Sequence, residues 1–110
     1  MNITVGTIEN GAVIALEGDL DATSSPDFEK AFTAQFMGNV TRYVLDFSAL
    51  KYISSAGLRV LAMALKKVKA AGGIIVICAM NDQVKKVFEI SGFTPYFTIC
   101  ATVDEGVKAI

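Results

Sequence analysis

Two adjacent hydroxyls, Ser54 and Ser55, and three carboxylates, Asp19, Asp21 and Asp46, are the side chains whose types and placement can do chemistry in this chain. The serines follow the apolar run Tyr43-Val44-Leu45-Asp46-Phe47 and precede Ala56-Gly57-Leu58-Arg59-Val60-Leu61, where the pattern shifts to a period of about 3.6 residues. A strand therefore hands over to a helix, with the serines at the helix start. A hydroxyl there can accept a hydrogen bond from a first-turn N–H that has no intrahelical partner. The same N–H groups, backed by the helix dipole, make a seat for an anion such as a phosphate. Such a serine can serve as a cap, a phosphoacceptor or a nucleophile.

The nucleophile reading lacks its machinery. The chain contains no histidine, which excludes Ser-His-Asp and Cys-His catalysis and leaves carboxylates, lysines and tyrosines as the available acids and bases. A G-x-S-x-G elbow around Ser55 lacks its first glycine, with Ile53 standing in that place. A phospho-aspartate receiver is the other phosphate-handling possibility, with Asp46 at a strand end joined by Asp19 and Asp21 in a magnesium pocket. It would want a lysine just after the last strand, where this chain has Ala101-Thr102. Without histidine no Cys/His metal cluster is possible, and Cys78 and Cys100, isolated in apolar runs, read as buried reduced thiols. Neither a cofactor nor a metal is expected, and the protein is not expected to be an enzyme.

Those residues must be positioned by a small fold. At 110 residues, 53% apolar and 19% charged, the chain has the size of one domain spanning 1–110 and ample material for a core. No run approaches the roughly 18 apolar residues of a membrane span, and the start carries no signal-peptide pattern. A soluble, cytoplasmic protein is expected. The net charge of −1 gives no footprint for nucleic acid, and neither nucleic acid nor membrane is an expected partner.

Ile3 to Ile8 and Ala12 to Leu16 read as a hairpin joined at Asn10-Gly11. Gly18-Asp19-Leu20-Asp21-Ala22 reads as a loop, and Ser24-Ser25-Pro26-Asp27 as a helix start with serine as the cap. Phe28, Ala31, Phe32 and Phe36 form one stripe of that helix, which ends at Gly38. Tyr43 to Phe47 is a central strand, with Asp46 at its end. The helix after the serines buries Leu58, Leu61, Ala62, Leu65 and Val68 and stops at Gly72-Gly73. Ile74 to Cys78 is a second interior strand. Asn81 or Asp82 caps a helix burying Val84, Val87 and Phe88, which closes at Gly92. Phe97 to Cys100 is a last short strand, and Thr102 caps a small helix whose Val107 and Ile110 fold back on the body. After the hairpin, strands alternate with helices, which implies an α/β fold with a mostly parallel sheet covered by helices.

With that order of elements, Leu45-Asp46-Phe47-Ser48 followed by Tyr52-Ile53-Ser54-Ser55-Ala56-Gly57-Leu58 resembles the STAS domain of bacterial anti-sigma factor antagonists. Gly18-Asp19-Leu20-Asp21 resembles the loop those proteins place beside the same site, and the resemblance covers nearly the whole chain. It implies a switch. The acceptor at the position of Ser55 is phosphorylated by a partner that is both anti-sigma factor and ATP-dependent serine kinase. The unphosphorylated form sequesters that partner, and a PP2C-type phosphatase resets the cycle. The docking surface implied comprises Asp19, Asp21, Ser54, Ala56, Gly57, Leu58 and Arg59 around Ser55, with Asp46 supporting it from the strand, in a monomer or weak dimer. Family members usually carry an aspartate immediately before the phosphorylated serine, and this chain has Ser54 there, which leaves the helix start less negative. Some STAS domains are never phosphorylated and act as scaffold subunits of signalling or transport complexes.

Overall fold

The computed structural model describes all residues from Met1 to Ile110. Two strands, β1 (Asn2–Ile8) and β2 (Gly11–Leu20), form the hairpin, and α1 (Ser25–Met37) leads to β3 (Arg42–Ile53). Then come α2 (Ser55–Ala70), β4 (Ile74–Cys78), α3 (Asp82–Ile90), a 3-10 turn at Thr94–Tyr96, β5 (Thr98–Cys100) and α4 (Val103–Ala109). The five strands lie in sequence order, with β1 antiparallel to β2 and all other pairs parallel.

Alternation along the strands sorts side chains onto two unequal faces. Ile14, Leu16, Tyr43, Leu45, Phe47, Ile75 and Ile77 point to the large core, where they meet Phe28 and Phe32 of α1, Leu61 and Val68 of α2 and Phe88 of α3. The opposite face holds only Val44, Val76 and Cys78 fully buried, under α4 with Val103 and Ile110. Val107, expected to fold back with Ile110, is exposed. On α2 the buried stripe is Gly57, Leu58, Leu61, Ala64 and Val68. Ala62 lies about one helical step of 100° past that stripe and is exposed, against expectation. α1 ends at Gly38, its C-cap, as expected, and the left-handed conformation falls on the next residue, Asn39 (φ 70°). Asparagine tolerates that region better than most residues.

Both strands that carry the site run longer than the hydrophobic pattern suggests. β4 pairs with β3 only as far as Asp46, whereas β2 pairs with β3 up to Ile53. β1 accompanies β2 as far as Glu17, the partner of Ala49, so the last four residues of β3, Leu50–Ile53, form a two-stranded ribbon with the end of β2, projecting beyond the sheet. Register shifts between Ala15 and Glu17 and between Gly18 and Asp19 break the alternation there, so Leu50 and Ile53 are buried while Ser48, Ala49, Lys51 and Tyr52 are exposed. Gly18 sits at one of these shifts with φ +108°, a conformation glycine adopts without strain. Asp46 is accordingly mid-strand and not at a strand end.

Where β4 stops, Asn81 takes over. Its Nδ2 donates to the carbonyls of Leu50 (3.0 Å) and Lys51 (3.4 Å), replacing ladder bonds a longer β4 would have made. Its Oδ1 accepts from the N–H of Val84 (2.8 Å) and caps α3. We expect Asn81→Ala to destabilise the fold by about 1–3 kcal/mol in urea titrations, the sum of a lost cap and a lost side-chain hydrogen bond. Asn81→Asp keeps the cap acceptor and loses the donor, so its smaller cost isolates the tie to β3; equal costs for the two variants would refute the double role.

Burial also raises two weak acids. The Tyr43 hydroxyl, fully buried and donating to the carbonyl of Val40, is pushed up to about 12 by desolvation. The Cys78 thiol is pushed up to about 11, by desolvation first and by Cys100 second. Both groups bind their protons more tightly folded than unfolded. Their contribution is therefore complete below the ordinary cysteine value of 9.0 and is lost as pH rises toward these elevated values. Urea midpoints should stay flat up to about pH 9 and fall above it, less steeply for Cys78→Ala; a decline that begins near neutrality would contradict this.

Candidate functional site

The ribbon delivers the start of α2 to the surface. Ser54 is extended (φ −97°, ψ 174°) and is the N-cap, its Oγ accepting from the N–H of Gly57 at 3.3 Å. Its own N–H donates to the carbonyl of Leu20 at 2.9 Å, which bolts the end of β3 to the end of β2. The cap is thus taken by Ser54. Ser55, the first helical residue, is exposed and free of that duty. By helix geometry the N–H groups of Ser55 and Ala56 have no intrahelical acceptor, so they are donors at the helix's positive end.

Leu20 also explains Gly57. A Cβ on Gly57 would lie 2.8 Å from the Leu20 carbonyl oxygen and 2.9 Å from both the Leu20 Cγ and the Ile53 Cγ1. Gly57 and Leu58 are buried against the body of the protein. These two positions of the implied docking surface are thus buried in the chain and seat the helix. Ser54 and Ala56 are half-buried, while Ser55 and Arg59 are exposed.

Asp19 and Asp21 flank Leu20, so the structure brings them to the same end of the ribbon as the serines. Asp19 is exposed on the β2 extension and not in a loop. Asp21 works inward: its Oδ1 accepts from the N–H groups of Ser24 (3.1 Å) and Thr23 (3.0 Å). These bonds, that of Ser24 first, hold its carboxyl below the ordinary carboxylate value. Ser24 stands at the N-cap of α1 as expected, with Pro26 behind it, and makes no side-chain capping bond. Ser24 is helical in conformation, and its hydroxyl donates to the Asp19 carbonyl at 2.6 Å, so Asp21 satisfies the orphan donors from one turn earlier. Lys51 joins Gly18, Asp19, Asp21 and Ser24 around a polar hollow of about 370 Å³. The apolar pattern ends the strand at Phe47, so the extension that exposes Lys51 is invisible in the sequence.

Asp46 does not support this site. Its Oδ1 accepts from the N–H of Ser48 (2.9 Å), and it lies six residues before Tyr52, the register partner of Asp19. That separation is about 20 Å of strand. The same distance dissolves the acidic magnesium pocket a receiver would need.

A model of the STAS domain matches residues 2–106, and the chain belongs to that family. Among its relatives, a Bordetella bronchiseptica protein with the provisional name anti-sigma factor antagonist BtrV is 35% identical over 109 residues, covering 99% of this chain and 94% of the relative. The anti-sigma-B factor antagonist of Bacillus subtilis is 28% identical over 109 residues, covering 98% of each. The structure of the Bacillus anti-sigma factor antagonist SpoIIAA in its unphosphorylated form superposes with a TM-score of 0.84 at 26% identity, covering 98% of this chain and 95% of the other.

The Leu20–Gly57 contact leaves no room for a methyl group. Gly57→Ala should destabilise the protein by about 1–3 kcal/mol, as overpacking does, and should shift amide resonances of Ser54 to Leu58 while leaving those of α4 in place. Wild-type stability and spectra in this variant would show the contact to be slack.

Proposed function

We propose that this chain is an anti-sigma factor antagonist whose binding is switched by phosphorylation of Ser55. The observation that carries the reading is the division of labour at the helix start: Ser54 holds the cap, leaving the Ser55 hydroxyl exposed beside uncommitted N–H donors. Relatives named as antagonists of anti-sigma factors, aligned over nearly the whole chain, support the partner class.

In this reading the unphosphorylated protein sequesters an anti-sigma factor with serine kinase activity. The kinase transfers the γ-phosphoryl group of ATP to Ser55 Oγ, with ADP leaving, and a PP2C-type phosphatase hydrolyses the ester. The added charge is about −1.5 to −2 at neutral pH. First-turn N–H groups and the dipole accommodate it, worth about 0.3 to 2 kcal/mol, and Arg59, four residues on, stands on the same helix face. The fold therefore tolerates the modification. The docked partner does not: one of its carboxylates about 6 Å away meets roughly 2.8 kcal/mol of repulsion per unit charge at an effective dielectric near 20. That is about a hundredfold in affinity.

Ser54 in place of the family's aspartate keeps the capping acceptor and removes a charge. The phosphate then has no adjacent carboxylate on its own helix start to oppose it. Partner contacts are assigned to Asp19, Asp21, Ser54, Ala56 and Arg59 around Ser55.

Incubation with ATP and the anti-sigma factor kinase of the same organism should add one phosphate, mapped by mass spectrometry to Ser55. Calorimetry should give about a hundredfold weaker binding for the phosphorylated protein. Phosphate on another residue would reject Ser55. Affinity indifferent to Ser55→Asp and to phosphorylation would favour a scaffold subunit.

A further inference from the structure

The exposed face of α2 does not end at Arg59. Ser55, Arg59, Ala62, Lys66 and Lys69 succeed one another at intervals of four, three, four and three residues, and all five are exposed. Such spacing keeps side chains on one helix face. The stripe spans fourteen helical rises, about 21 Å.

Its far half opens into a hollow. Between α2 and the 3-10 turn lies a cavity of about 330 Å³ lined by Ala62, Leu65, Phe93 and Tyr96, with Lys66 and Lys69 on its rim. The floor is firm: Phe93 stacks on Phe97 with ring centroids 6.4 Å apart, and both rings pack edge-on against the buried Phe88. Tyr96 is 63% exposed although its surroundings are apolar. No carboxylate lines the hollow, so its only charges are two ammonium groups.

We propose that this groove receives an acidic amphipathic helix of the anti-sigma factor, as a second contact beyond the Ser55 turn; the proposal rests on the anti-sigma factor antagonist reading. Three considerations select that occupant. A stable specific interface covers about 800 Å² per partner, more than a helix start and two carboxylates supply. The stripe carries the surface onward without a break. The charges differ along it: at the Ser55 end Arg59 and Lys51 stand near Asp19 and Asp21, whereas Lys66 and Lys69 at the far end have no carboxylate beside them in the groove. A complementary partner presents, to that far end, apolar anchors at i, i+3 or i+4 flanked by acids. Ala62 is the small residue that lets such a helix approach α2 closely.

This groove lies beyond the reach of the phosphate, so its occupancy sets how tightly the partner is held and leaves the switching ratio alone. The purified anti-sigma factor of the same organism is the probe, with binding followed by calorimetry at two salt concentrations. Lys66→Glu combined with Lys69→Glu, and separately Tyr96→Ala, should each weaken binding at least about tenfold. The charge reversal should also flatten the salt dependence. Lys66→Arg with Lys69→Arg should bind as wild type, and the loss on Ser55 phosphorylation should keep its ratio in every variant. Wild-type affinity in both the charge-reversed and the Tyr96→Ala proteins overturns the groove while leaving the antagonist reading intact. No binding of the wild-type chain overturns both. A dimer in sedimentation that Tyr96→Ala dissolves would give the groove to a second copy of this chain and overturn the assignment.

Discussion

One carbonyl holds the site together. The oxygen of Leu20 accepts the Ser54 N–H and lies so close to Gly57 that no side chain fits between them. The end of β2, the end of β3 and the first turn of α2 therefore meet at a single atom. Because α2 is fixed there, the exposure of Ser55 follows from the backbone and not from a side-chain rotamer. Asp19 and Asp21, the neighbours of Leu20, are brought to the same place by the same contact. A network of short bonds from Ser24 and Ser25 to the Asp19 and Asp21 carbonyls carries the rigidity on into α1.

Local hydrophobic pattern made most of the architecture legible. The hairpin, the alternation of strands and helices, the buried double-faced strand around Val44 and Leu45 and the caps at Asn81 and Thr102 all follow from periodicity and short-range chemistry. What stayed hidden depends on pairing between distant segments. Ser48-Ala49-Leu50-Lys51-Tyr52-Ile53 reads as a turn because its burial follows no period of two, and only the register shifts against β2 reveal it as strand. Asp46 was misplaced for the same reason. Asn81 announced its cap in the sequence and kept its bonds to Leu50 and Lys51 out of view, since those join residues about thirty apart in the chain.

At the site, residue types were readable and their division into roles was not. Ser54 and Ser55 are alike in chemistry, and a difference of one backbone conformation makes one a cap and the other an exposed hydroxyl. Gly57 and Leu58 belong to a recognisable motif, yet motif membership does not separate residues that face a partner from residues that seat the helix. Burial does that. Asp21 likewise carries a charge that looks outward in the sequence and is bound inward by two N–H groups in the fold.

The projecting ribbon has an evolutionary corollary. Beyond Asp46 β3 has no β4 beside it, and beyond Ala49 it has only β2 for company, so Ser48, Lys51 and Tyr52 are exposed while Leu50 and Ile53 reach the core. Substitutions at the exposed Ser48 or Tyr52 therefore cost little packing, and related chains can differ there with the core intact. The ribbon is thus pinned at its inner edge by Leu20 and Asn81 and free at its outer one, where chemistry can change under rules other than those of packing.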